Sequence, residues 1–111
     1  MDAQLKRGLL DACVLAAIRN QDSYGYQIIK DLKPYTELSE STLYTILKRL
    51  ENGGMLTVRS AEHNGRLRKY YRITGKGEDR LTEFREEWHE ISAVAEFIIR
   101  ECERDDKTGI S

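Results

Sequence analysis

Apolar residues in the first third of the chain recur every three or four positions, which is the spacing of helices that bury one face. The first such segment covers residues 4–19, and its apolar face carries Leu5, Leu9, Ala12 and Ala16. A second segment opens with Asp22 and Ser23, which are N-cap candidates because their side-chain oxygens accept backbone N–H groups. It runs to about Leu32, since Pro34 prevents the helix from continuing. The pattern therefore predicts two helices in this region.

A third helix is predicted from the stretch ESTLYTILKRLENGG, residues 40–54. Ser39 or Glu40 begins it, and Ser39 is the better N-cap because a hydroxyl accepts free amide hydrogens there. Gly53 and Gly54 end it, since a left-handed C-cap favours glycine. Its apolar face consists of Leu43, Ile46, Leu47 and Leu50. A solvated helix face usually favours Glu and Lys, whereas the opposite face here carries hydroxyls, an amide and a cation, in Ser41, Thr45, Lys48 and Asn52.

After the glycine pair the pattern changes to strict alternation, in MLTVRSAEHNGRLRKYYRIT. Two alternating runs flank the Asn-Gly dipeptide at positions 64 and 65, which is typical of a two-residue hairpin turn with positive φ at both residues. Such a turn makes Leu56–Ile73 and Val58–Tyr71 cross-strand pairs on the apolar face. The other face is predicted to carry Arg59 and Tyr70, joined by Thr57 and Arg72 only if a bulge intervenes.

A long final helix is predicted from residues 74–76 to about Arg104, because no proline interrupts it. Its apolar residues form a heptad seam of Leu81, Phe84, Trp88, Ile91, Ala95, Ile98 and Cys102. A domain of about a hundred residues cannot cover so long a stripe, so we expect dimerisation with a second copy through all of these but Cys102. Packing against the first helix is the alternative, and both arrangements can hold at once. Residues 107–111 are predicted to form a flexible tail.

Composition limits the classes of protein to consider. The chain has 111 residues, of which 40% are hydrophobic and 33% charged, so one helix-rich domain is the default. There is no apolar run long enough to span a membrane, and the first ten residues lack the pattern of a secretion signal. Cys13 and Cys102 lie far apart and neither belongs to a CxxC motif. We therefore expect a cytoplasmic protein without a metal or another cofactor.

The net charge of −1 hides an uneven distribution. Residues 1–75 contain 12 Lys and Arg against 8 Asp and Glu, whereas residues 76–111 contain 6 against 11. A basic front and an acidic tail favour two roles, of which the first suits phosphates. The alternative is that the acidic helix serves only solubility.

The predicted order of three helices, a hairpin and a long helix is that of a winged helix-turn-helix. We expect a mainly α fold with a small β-hairpin, in which residues 1–75 bind DNA and residues 76–106 form a dimerisation helix. The third helix then enters the major groove, and the basic hairpin lies against the DNA backbone or minor groove. The candidate DNA-binding residues are Ser41, Thr42, Tyr44, Thr45 and Lys48 on the helix, and Asn64, Arg66, Arg68 and Lys69 on the hairpin.

Other interpretations of the same residues stay open. The hairpin charges are also explained by edge protection, although charge of either sign protects an edge and nearly all of these are positive. A winged domain that binds protein instead of DNA has the same element order. Catalysis is disfavoured, because His63 and His89 belong to no nucleophile–base pair or zinc motif. Trp88, the only tryptophan, is either an interface anchor or part of a pocket for an aromatic ligand.

Several motifs are spread over about residues 5–77. They are Tyr24-Gly25-Tyr26-Gln27-Ile28, then STLYTILKRLE in the third helix, then Gly54-Met55-Leu56, then Arg66 and RKYYRIT followed by Gly77. Together they resemble the PadR family of bacterial transcriptional regulators, and the single C-terminal helix resembles its short subgroup. The resemblance implies a homodimeric repressor whose final helix reaches the partner's first helix, and which releases operator DNA when an effector binds. Some multidrug-sensing members hold flat aromatic compounds between tryptophans of the last helix. By that likeness, Trp88 is the candidate ligand-binding residue.

Overall fold

The computed structural model describes residues 1–108, with side chains placed to residue 104. The elements follow one another as α1 (Ala3–Ala17), α2 (Gly25–Leu32), α3 (Glu40–Asn52), β1 (Leu56–His63), β2 (Arg66–Ile73) and α4 (Gly75–Thr108). This confirms the predicted mainly α fold with one hairpin, which is a winged helix-turn-helix with a long last helix. The chain divides into two compact units, Met1–Leu81 and a second one that begins at Thr82 within α4.

The core of the first unit lies between the three short helices and the hairpin. Its fully buried side chains come from α1 and its C-cap, α2, α3 and β1, namely Val14, Leu15, Ile18, Ile28, Leu43, Leu47 and Leu56. The buried face of α1 is therefore only partly the predicted one, because Leu5 and Ala16 are exposed. Ile46 and Leu50 of α3 are also buried, so all four residues predicted for the apolar face of this helix pack inward. A buried aliphatic side chain contributes roughly 1.5–3 kcal/mol by leaving water. The apolar face of α3 therefore holds its polar face in a fixed position.

The ends of α3 follow the predicted local chemistry. Ser39 is the N-cap, and its Oγ accepts the backbone N–H of Thr42 at 3.2 Å. Gly54 has a φ of +76°, and the next amide, of Met55, donates to the Leu50 carbonyl at 2.9 Å. Gly53 has a φ of −80°, so only the second glycine of the pair takes the left-handed conformation.

The start of α2 differs from the prediction. Its N-cap is Tyr24, which makes no side-chain capping bond, so the assignment of Asp22 and Ser23 as caps is wrong. Both residues are engaged elsewhere. The backbone of Ser23 pairs with that of Tyr71 through two hydrogen bonds of 3.2 and 2.8 Å, and Asp22 binds arginines of the hairpin. Tertiary pairing with β2 therefore outweighs the local capping preference.

The hairpin has the predicted turn and apolar register. Asn64 and Gly65 have φ values of 52° and 79°, and Leu56 pairs with Ile73 as Val58 does with Tyr71. The register continues without interruption to the turn, which contradicts the expected need for a bulge. Thr57–Arg72 and Arg59–Tyr70 are alternate pairs of one ladder and share the outer face, because side chains in a strand alternate with a period of two.

The first turn of α4 is anchored to the end of α3. The hydroxyl of Thr74 donates to the Gly54 carbonyl at 2.7 Å and accepts the amide of Gly77 at 3.2 Å. Gly77 is required here, because a Cβ atom at this position would lie 2.7 Å from Cγ1 of Ile73 and against the Met55 carbonyl. This explains a glycine inside a helical turn, where it is otherwise unfavourable.

The second unit consists of α4 from Thr82 onwards. The helix extends to Thr108, four residues beyond the predicted end at Arg104, and the last predicted tail residues, 109–111, lie outside the described residues. Phe84 and Trp88 stack at 5.7 Å between ring centroids with a 33° tilt. Four large apolar side chains are between 54% and 60% exposed: Val94, Phe97, Ile98 and Ile99.

Candidate nucleic-acid interface

The outer face of α3 carries the five residues predicted to bind DNA. Ser41, Thr42, Tyr44, Thr45 and Lys48 are all exposed. Two hydroxyls make local bonds, since that of Thr45 donates to the Ser41 carbonyl at 2.9 Å and that of Thr42 accepts from Ser39 Oγ at 2.9 Å. Thr42 and Lys48 are exposed, so the Thr42 hydroxyl and the Lys48 ammonium are available as donors. The face is thus suited to acceptors such as phosphate oxygens and guanine edges.

The hairpin formed by β1 and β2 is called the wing from here on. A groove of about 760 Å³ separates α3 from the tip of the wing. It is lined by predicted DNA-binding residues of both elements, Tyr44, Asn64, Arg66, Arg68 and Lys69, together with Tyr24, Gly25 and Tyr26 at the start of α2. Gly25 allows the close packing at its floor, because a Cβ there would lie 2.9 Å from the Tyr44 hydroxyl oxygen. Residues far apart in the chain therefore meet at one concave, basic surface.

Lys48 and Lys69 line a second depression, of about 410 Å³, between α3 and the inner face of the wing. Tyr71 forms part of its lining, and burial of this side chain raises the pKa of its phenol. Glu51 is the acid in this lining. The two ammonium groups reach the surface from different elements, so this region extends the basic groove along α3.

The outer face of the wing carries a stack of alternating cations and aromatic rings. The Arg68 guanidinium carbon lies 3.9 Å from the centre of the Tyr24 ring, which meets Tyr70 edge-on at 5.8 Å. The guanidinium carbon of Arg59 lies 4.8 Å from the Tyr70 ring centre. Cation–π contacts of this kind are worth about 0.5–1 kcal/mol each at exposed sites. Arg68 is therefore partly committed to holding the wing, unlike the exposed Arg66 and Lys69.

Asp22 clamps two wing arginines on this same face. Its carboxylate accepts from Nε of Arg72 at 2.9 Å, and from both Nε and Nη2 of Arg59 at 3.3 Å. The hydrogen bond from Arg72 is the main cause of a lowered pKa of the Asp22 carboxyl, and the same bond raises the pKa of Arg72. Sequence reasoning missed this role, because Arg59 and Arg72 lie 37 and 50 positions after Asp22 and no local pattern connects them. Two of the hairpin's cations thus share one carboxylate within the protein, which cancels one of their two charges.

Arg49, on one flank of α3, is also paired within the protein. Its guanidinium forms a two-pronged ion pair with Asp11 of α1, through Nε–Oδ2 at 3.4 Å and a close Nη2–Oδ1 contact. The pair is partly buried, so it fixes the orientation of α3 against α1. Lys48 is accordingly the cation of α3 that faces outward.

The predicted dimerisation residues fall in both units. Leu81 packs against the core of the first unit, while the others lie on α4 in the second. Burial raises the pKa of the Cys13 thiol, and Cys102 is exposed. In the described part of the chain, no cluster of three or more His, Cys, Asp or Glu side chains is arranged to hold a metal ion. No helix there combines the length and apolar character needed to cross a membrane.

Comparison with known proteins places this geometry in a family. Residues 14–83 match the model of the PadR-like family of transcriptional regulators. The structure of smu.1704 from Streptococcus mutans UA159 is 39% identical, with a TM-score of 0.77, over 85% of this chain and 89% of that one. A PadR-like transcription factor from Bacteroides fragilis is 35% identical, with a TM-score of 0.77, over 86% of this chain and 95% of that one.

A more distant structure carries nucleic acid. Bacillus subtilis PadR in complex with operator DNA is 25% identical, with a TM-score of 0.65, over 68% of this chain and 45% of that one. The family match covers more than half of this chain and includes α2, α3 and the wing. The chain therefore belongs to the PadR-like family of transcriptional regulators, and it is a winged-helix regulator and not an enzyme.

Proposed function

We propose that this chain is a cytoplasmic, homodimeric repressor that binds double-stranded operator DNA through α3 and the wing. The observation that carries the proposal is the continuity of the exposed polar face of α3 with the basic groove lined by Asn64, Arg66 and Lys69. Hydroxyls and Lys48 on α3 suit the major groove, and arginine at a wing tip suits the narrower minor groove. The likeness to a PadR bound to operator DNA supports the same arrangement.

The proposed dimer rests on the apolar face of α4. Ile91, Val94, Phe97, Ile98 and Ile99 are all exposed at heptad or neighbouring positions. Such a stripe is unfavourable in water, and coiled packing against a second copy removes it. Two copies also present two α3 helices, as a two-fold operator requires.

Release by a small effector is the second part of the proposal. Phe84 and Trp88 stack on α4 and are half-buried, so a flat aromatic compound finds two ring faces there. Because Trp88 is the only tryptophan, its fluorescence reports on binding directly. We expect a planar aromatic compound to quench it and to lower the affinity for operator DNA. A screen of such compounds without quenching, with DNA binding intact, would remove the effector from the proposal.

The experiment that tests DNA binding is a titration, followed by fluorescence anisotropy at several salt concentrations. It uses the promoter duplex from upstream of the protein's own gene and a duplex of random sequence. We expect Lys48→Ala with Arg66→Ala to weaken binding to its promoter about tenfold or more, because each loses a contact to a base edge or phosphate. The dimer, measured by light scattering, should stay unchanged. The matched control is Arg85→Ala with Arg100→Ala, which removes two exposed cations from α4.

The alternative is a winged domain that binds another protein. Neutralisation of phosphates makes affinity fall steeply with salt, whereas a protein contact lacks that dependence. An affinity for duplex DNA that is absent, or that does not respond to salt, would favour this alternative. Unchanged affinity in the Lys48 and Arg66 variant would remove those two residues from the DNA surface.

A further inference from the structure

A third cavity, a cleft distinct from the groove and the depression described above, borders α3 on the side away from the wing. It has a volume of about 280 Å³ and lies between the start of α1 and the flank of α3. Lys6 and Arg7 line it from α1, and Thr42, Thr45 and Arg49 line it from α3. None of the residues from α1 belongs to the helix-turn-helix pair or to the wing, so this cleft extends the candidate interface to a third element.

The three cations that line the cleft differ in whether an acid of the protein pairs with them. Arg49 is balanced by the carboxylate of Asp11. Lys6 and Arg7 are exposed, and neither forms an ion pair with an acid in the described part of the chain. Asp2, the other acid of this region, caps α1 by accepting the Leu5 amide at 3.1 Å. The cleft therefore presents two uncompensated cations beside the hydroxyl-bearing edge of α3.

The two edges of α3 are thus alike in chemistry. On the wing side, Tyr44 and Lys48 face Lys69 across a depression. On the α1 side, Thr42 and Thr45 face Lys6 and Arg7. A helix in the major groove has a phosphate strand along each side, because the groove is only about 12 Å wide. Cationic rims on both edges of α3 match those two strands.

We propose that Lys6 and Arg7 bind the phosphate backbone of the DNA strand that lies opposite the wing. This assignment rests on the proposed function, because it requires α3 to lie in the major groove. Their contacts are made to phosphate and carry no sequence information, so they fix the orientation of α3 on the duplex. The expected ligand is the sugar–phosphate backbone of duplex DNA, independent of its base sequence.

The test compares Lys6→Gln with Arg7→Gln against the unaltered full chain, by anisotropy with promoter and random duplexes across a salt series. We expect affinity for both duplexes to fall by a similar factor, about tenfold or more at low salt. The slope of log affinity against log salt should flatten by about 0.9 for each phosphate contact removed. A loss limited to the promoter would assign the two residues to base reading and overturn the proposal.

Control variants distinguish the effect of losing positive charge from the effect of misfolding. Lys6→Arg with Arg7→Lys keeps both charges and should retain the affinity and the salt slope. Arg85→Gln with Arg100→Gln removes two cations from α4 and should leave the slope unchanged. If circular dichroism shows that the double glutamine variant is misfolded, Arg7→Gln alone is used, with about half the change in slope expected.

The outcomes distinguish the two proposals. Salt-dependent binding by the unaltered chain with no change in the folded glutamine variants would overturn the assignment of Lys6 and Arg7 while leaving the proposed function in place. Failure of the unaltered chain to bind either duplex would overturn both.

Discussion

The two compact units of this chain differ in how far they bury their large apolar side chains. In the first unit, α1, α2, α3 and the wing enclose side chains such as Leu15, Ile28 and Leu43 completely, and the large hydrophobic residues left exposed, such as Leu67, are scattered along the chain. In the second unit, Val94, Phe97 and Ile98 of α4 are more than half exposed. The first unit buries its core residues within itself, whereas the apolar stripe of the second unit stays exposed to solvent. A winged domain with its own closed core is therefore joined to a helix whose apolar stripe packs against a second copy in the proposed dimer.

The largest effect is expected from breaking the apolar stripe of the second unit. Val94→Glu with Ile98→Glu places charges on a surface that excludes water in the proposed dimer, so we expect a monomer. Losing the link between two DNA-binding units should weaken binding to a two-fold operator by about 100-fold, since linkage raises affinity by roughly 10²–10⁴. Light scattering gives the mass, and anisotropy gives the affinity.

The first unit should not respond to this change. Its peptide-resolved hydrogen-exchange protection is expected to stay the same, because its core residues belong to residues 1–81. Arg100→Glu is the control, since it introduces a similar charge at an exposed position on the polar side of α4. A double glutamate variant that remains a dimer would show that the apolar stripe of α4 is not the dimer interface.

A smaller effect is expected where α4 joins the first unit. Gly77→Ala forces a methyl group against Ile73 and the Met55 carbonyl, so we expect a loss of about 2 kcal/mol in the free energy of unfolding. Gly75→Ala, two residues earlier in the same turn, meets no atom within 4 Å and should be neutral or slightly stabilising. Urea denaturation measures both. Equal stabilities of the two variants would contradict the close packing around Gly77.

The parts of the fold that follow from short-range chemistry could be predicted from the sequence. The Ser39 cap, the left-handed Gly54 and the Asn64-Gly65 turn each depend on a few neighbouring residues, and alternation in the strands then sets the register. The exposed face of α3 follows from helical periodicity. The candidates on α3 are exposed as expected, and the assignment of these residues to DNA binding stays a prediction.

Contacts between distant segments could not be predicted in the same way. Asp22 looks like a helix cap when only its neighbours are considered, yet it binds Arg59 and Arg72, which lie 37 and 50 positions later. The stacking of Arg68 on Tyr24 and the pairing of Arg49 with Asp11 are of the same kind. Each depends on how three elements pack, which a pattern within one element does not contain. Counting charges along the hairpin therefore overstates the cations that are free for DNA.

The smallest effect is expected at Asp22, whose carboxylate binds Arg59 and Arg72 of the wing. The contribution of this clamp to the free energy of unfolding depends on pH. The pKa of Asp22 is lowered in the folded protein, chiefly by its hydrogen bond from Arg72, so the clamp stabilises the fold at every pH above the unfolded pKa of about 3.9. This contribution is lost as the pH falls through the lower, folded pKa. Asp22→Asn should therefore be less stable than the unaltered protein at neutral pH by a smaller margin than Gly77→Ala, and the difference should shrink only below about pH 4. Urea denaturation across a pH series measures the margin, and a difference that stays constant into strong acid would show that the carboxylate charge of Asp22 does not hold the wing.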